Sequence, residues 1–80
     1  MKPIYHGDNG VHEFWENEDY VILRNHPERE WTAHRKGKDG GLGFLRAFKS
    51  DAEAAFELGL TLDVTKKWAG NRVVDRVKNR

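Results

Sequence analysis

Four histidines, thirteen carboxylates and a lone serine are the side chains of this 80-residue chain best suited to chemistry. Histidines hold zinc when short fixed spacing, or an i, i+4 step on a helix, joins them to cysteine or carboxylate. His6 and His12 lie six residues apart, His26 and His34 eight, in stretches that read as loops and strands, and there is no cysteine. The expectation is no metal and no cofactor. Glu13, Glu16, Glu18 and Asp19 form the densest acidic cluster. Paired carboxylates act as acid and base only where apolar surroundings push one pKa up, and an exposed turn lacks them. Ser50 is the only serine and stands where a helix must start, and with no cysteine in the chain covalent catalysis is poorly supported. The chain reads as not an enzyme.

Gly37, Gly40, Gly41 and Gly43 raise the question of a phosphate loop. They match neither G-x-G-x-x-G nor the Walker pattern. Gly37-Lys38-Asp39-Gly40 spells the G-x-x-G of a nucleotide-clamping loop, but that loop joins helices and this one joins two strands. A hairpin turn is the reading it supports, since Asp-Gly and Gly-Gly supply positive φ.

The formal charge of +1 conceals four blocks of alternating sign. Residues 1–34 sum to −4, 35–50 to +4, 51–63 to −4 and 64–80 to +5. Such segregation creates local potentials and points to a partner. Two faces are candidates. The acidic one is Glu13, Glu16, Glu18 and Asp19. The basic one is Arg35, Lys36, Lys38 and Arg46 with Lys66, Lys67, Arg72 and Arg76 of the tail. Trp15 and Trp31 are the expected aromatic anchors of such a contact. A protein complex is the expected partner, with nucleic acid the alternative through the basic hairpin and basic tail. No apolar run approaches the roughly 20 residues of a membrane helix, and no secretory h-region is visible, so no membrane partner is expected and the chain reads as cytoplasmic. The oligomeric state is open.

The elements that must position these groups follow from pattern. Residues 1–80 are expected to form one small α+β domain, since a chain this short buries only about 60% of its unfolded surface. Residues 1–10, with Pro3, Gly7, Asp8, Asn9 and Gly10, read as a loose lead-in. Strands are expected at Val11–Trp15, Tyr20–Arg24, Glu30–Arg35 and Leu42–Phe48, the last placing Leu42, Phe44 and Phe48 on one face. Ser50-Asp51-Ala52-Glu53 is a capping box in which Ser50 accepts from Glu53 and Glu53 reaches back to Ser50. The helix it opens should bury Ala52, Ala55, Phe56 and Leu60 and stop at Gly59. Residues 61–80 read as a basic C-terminal element: Asp63 caps Val64 to Ala69, Gly70 ends that turn, and Val73, Val74 and Val77 fit a helical face, with a strand the other option. The expected fold is α+β, an antiparallel three- to four-stranded sheet packed by one capped α-helix and followed by a short basic C-terminal helix.

Whole-chain length, a β-rich first half and the Ser50–Gly59 helix resemble the small inhibitor proteins of phages and mobile elements, the anti-CRISPR proteins among them. That resemblance implies a non-enzymatic protein-binding module that blocks a host nucleic-acid-processing complex through a charged surface. It assigns no individual residue. A three-stranded sheet backed by one helix also looks like the arm-binding domains of phage-type integrases, which implies the alternative of a small DNA- or RNA-binding protein.

Overall fold

In a computed structural model that describes residues 1–76, the chain forms β1 (Lys2–Asp8), β2 (Glu13–Glu16), β3 (Tyr20–Arg24), β4 (Trp31–Lys36), β5 (Leu42–Phe48), α1 (Asp51–Leu58), β6 (Leu60–Ala69) and β7 (Arg72–Asp75). The seven strands make one mixed sheet in the order β5-β4-β3-β2-β1-β6-β7. Neighbours are antiparallel except β1 and β6. The route explains the exception. Strands β1 to β5 meander to one edge, and α1 carries the chain back over one face to the far side of β1, the crossover that a parallel return needs.

The core lies between α1 and that face. Register puts His6, Trp15, Ile22, Ala33 and Arg46 in one row across β1 to β5. Ile4, Trp15, Ile22, Trp31, Ala33 and Phe48 pack there with Ala54, Ala55 and Leu60. The indole of Trp15 ties sheet to helix, its Nε1–H donating to Asp51 Oδ2 at 2.9 Å. Ser50 Oγ accepts from the Glu53 N–H at 3.1 Å, and Gly59 ends the helix at φ 71°. Glu53 reaches back to the Lys49 N–H rather than to that of Ser50. The helix turns differently from the expected face: Ala54 and Ala55 are buried, Ala52 is exposed, and Phe56 is 77% exposed.

The expected fold class is wrong in three places, each for a physical reason. The sheet has seven strands among the described residues and is mixed, not three or four and antiparallel. Residues 1–10 are not a loose lead-in, because Lys2–Asp8 is an interior strand between β2 and β6. Pro3 is tolerated there because the β2 ladder begins only at Tyr5. Gly7 reads as a breaker but is a packing position: the Phe14 ring lies where a Cβ would stand.

Residues 61–76 hold two strands and no helix. The Asp63 carboxylate accepts from the N–H and hydroxyl of Thr65, which closes a bulge in β6 instead of capping a helix. Gly70, at φ 69°, and Asn71 form the two-residue turn that joins β6 to β7. Val73 and Val74 then sit in a strand, where β-branched side chains fit. Val77 lies outside the described residues. Among the described residues no helix is long and apolar enough to cross a membrane.

Candidate functional site: the open face and free edge of the sheet

Among the described residues no second layer covers the β2–β5 part of the face away from α1. Register places Tyr5, Glu16, Val21, His34 and Phe44 in one row across it, with Gly7, Phe14, Leu23, Thr32 and Ala47 in the next. Val21 is buried, and Phe14 lies over Gly7. From the other side, β6 brings Trp68 across β1, where its Nε1–H donates to the Glu16 carbonyl at 3.0 Å. Between Phe14, Val21, Leu23 and Leu42 runs a groove of about 530 Å³, with the Glu16–Lys36 ion pair and His12 on its rim.

The groove ends at β5, an edge strand exposed from Leu42 through Ala47. A bulge changes its pattern. Ala33 pairs with Arg46 and His34 with Phe44, so Leu45 is the extra residue. Such an insertion breaks the alternation, which puts Leu42 and Phe44 on the open face and Arg46 and Phe48 on the helix face. The expected single face of Leu42, Phe44 and Phe48 is therefore corrected. Phe44 stands edge-on to the His34 ring at 5.7 Å and remains 63% exposed, with Leu42 51% and Leu45 44% exposed beside it.

The acidic candidates do not form a face. Glu13 and Glu16 point to opposite sides of β2. Glu13 accepts from Arg24 Nη2 and contacts His6 Nε2, both at 2.7 Å, while Glu16 holds Lys36. Glu18 and Asp19 hold Lys2 at 3.3 and 2.6 Å. Lys2 keeps the Asp19 carboxyl below its ordinary range. Each of the four acidic candidates is thus held by a base: Lys2, His6 and Arg24 of the same block, or Lys36 of the next.

The basic candidates are split as well. Arg35 donates to the Tyr20 hydroxyl and lies over its ring, and Arg46 lies over Phe48, 4.0 Å from Glu57. Lys38 is exposed in the β4–β5 turn. Lys66 is held by Asp75 at 3.0 Å, Arg76 Nε donates to the Val64 carbonyl, and Lys67 and Arg72 are exposed. The hairpin bases and the tail bases belong to opposite ends of the strand order. Trp15 and Trp31 are buried in the core and are not surface anchors. Their strands alternate so that both indoles face α1, with Arg24 stacked over Trp31 at 4.7 Å.

The residues that sequence reasoning missed are Leu42, Phe44 and Leu45. Their signal was present: apart from Arg46, Leu42–Phe48 carries apolar residues in both strand phases, which fits either a buried central strand or a strand with an uncovered side. Among the described residues no three histidines and carboxylates gather as a metal site. Comparison of the chain with protein-family models, curated proteins and solved structures returns no match.

Glu13 and His34 make stability depend on pH, and Asp19 and Asp63, held below the ordinary carboxylate value by Lys2 and Thr65, add to the acid-side step. The Arg24 guanidinium, then His6, holds the Glu13 carboxyl below its ordinary value. Its contribution is therefore complete above the unfolded pKa of about 4.3 and is lost as pH falls through the folded value. Burial pushes the His34 imidazole down, so the unfolded chain takes that proton first and stability begins to fall below about pH 6.5. Melting temperature measured against pH is expected to decline in these two steps. Glu13→Gln should lower the melting temperature at neutral pH and shrink the lower step, to which Asp19 and Asp63 still contribute, while leaving the upper one. An unchanged lower step would show that Glu13 is not among its sources.

Proposed function

We propose that the chain is a non-enzymatic protein-binding module of the inhibitor kind, which covers a surface of a nucleic-acid-processing complex with the β5 end of its open face. The observation that carries this reading is the exposure of Leu42, Phe44 and Leu45 together on one edge strand. Grouped apolar surface of this sort marks contact sites on small proteins, and an aromatic ring at its centre is the usual anchor. The choice of partner class rests on the likeness in size and style to small phage inhibitors. Charge remains as steering, supplied by Arg35, Lys38, Arg46 and Lys49 around the same edge.

Phe44→Asp is the test. The ring is mostly in solvent, so the melting temperature should hold, while affinity for a partner purified from source-cell extract should fall by about thirtyfold or more, the scale of a hot-spot side chain. Equal affinity of the two proteins would remove this face from consideration. Labelled duplex DNA and single-stranded RNA should give flat titrations, and tight binding with a steep salt slope would overturn the protein-binding reading.

A further inference from the structure

The two edges of the sheet are built differently. β7 is four residues long and carries Arg72 and Asp75, the latter paired with Lys66. Short, charged edges resist further pairing. β5 is seven residues long, and it shows solvent Leu42, Phe44 and Leu45 beside backbone groups that, among the described residues, pair with β4 alone. A strand laid along it would meet two distinct surfaces. On the open face it would meet Leu42, Phe44 and Ala47. On the helix face it would meet Arg46, whose side chain is 69% exposed, with Arg35 one strand further in.

We propose that β5 accepts an extended segment of a partner protein as an eighth strand, and that this segment alternates apolar and acidic residues. Period-two alternation follows from the pleat: apolar side chains fall beside Leu42 and Phe44, and carboxylates fall beside Arg46. The charge of the edge selects the acids. Residues 35–50 sum to +4, and Glu16 neutralises only Lys36 among them at close range. Lys38 and Lys49 have no ion pair among the described residues, and Arg46 stands 4.0 Å from Glu57. A second copy of this chain suits the edge less well, because antiparallel self-pairing would bring two bulges and two sets of these bases together. This inference rests on the protein-binding reading and specifies the segment recognised.

The test is a titration of the full ¹⁵N-labelled chain with a capped peptide of alternating valine and glutamate, followed by amide shifts and hydrogen exchange. Expected are shifts centred on Leu42–Phe48, slower exchange there, and affinity that drops with salt. A valine–lysine peptide of the same length should bind at least about tenfold more weakly. A valine–glutamate peptide with alternate amides N-methylated should lose binding, since the ladder is then blocked. The proposal is overturned if the acidic and basic peptides bind alike, if the β5 amides do not respond, or if the chain alone sediments as a dimer with β5 protected. Those results would leave the protein-binding reading standing where Phe44→Asp still abolishes capture, whereas salt-steep DNA binding would remove both.

Discussion

Ile4→Ala is expected to unfold most of the molecules near body temperature. Ile4 is fully buried in the middle of β1, between the helix and the parallel pairing with β6. Truncating such a side chain costs roughly 2–5 kcal/mol through lost transfer energy and the cavity left behind. A core of this size contributes only about 3–5 kcal/mol net, so the change consumes most of the margin. Urea unfolding followed by tryptophan fluorescence checks it. A midpoint like that of the parent protein would mean that β1 is not an interior strand, and the seven-stranded order would fall with it.

Trp15→Ala should be nearly as severe, at about 3–5 kcal/mol. The indole is 5% exposed, packs edge-on against His6 at 5.0 Å, and gives the sheet its hydrogen bond to the first helical residue. Trp15→Phe separates the two roles. It keeps much of the packing and removes the donor to the Asp51 carboxylate, a loss of roughly 1–3 kcal/mol. In that variant the amides of Ala54 and Ala55 should exchange faster, since the helix start has lost its tie to the sheet. If helix exchange is unchanged while the melting temperature falls, the Trp15–Asp51 bond contributes nothing and packing carries the whole effect.

The parts of the fold visible in the sequence are those written in local pattern. Tyr20–Arg24 is apolar on both faces and buries Val21 and Ile22, Ser50 and Gly59 bracket the helix, and Gly40 turns the second hairpin, and each stands where its pattern implies. β1 was hidden because its cues point the other way. Pro3 and Gly7 signal loops, and only the remote strands β2 and β6 make Lys2–Asp8 extended. The β6–β7 hairpin was hidden behind an aspartate and a glycine that serve helix ends and strand turns alike.

The candidate site was harder still. Charge blocks are plain in the sequence, but Lys2 meets Asp19 seventeen residues away and Lys36 meets Glu16 twenty away. Those pairings occupy Glu16, Glu18 and Asp19 and appear only in three dimensions, although Lys36 alone brings its charge from another block. A single extra residue at Leu45 decides which side of β5 Phe44 occupies, and nothing in the apolar run Leu42–Phe48 announces it. The tryptophans are ambiguous for a different reason: large aromatics anchor interfaces and cores alike, and here the core takes Trp15 and Trp31.

The proposed partner meets the apolar β5 end of the open face and not the acidic turn. Site-specific photo-crosslinking tests this directly. A benzophenone side chain placed in turn at Phe44, at Glu18 and at Phe56 leaves the core untouched, since all three positions are exposed. Irradiation in source-cell extract should give a protein adduct from position 44 and none from positions 18 or 56. An adduct from position 18, with none from position 44, would contradict the account and return the contact to the acidic turn.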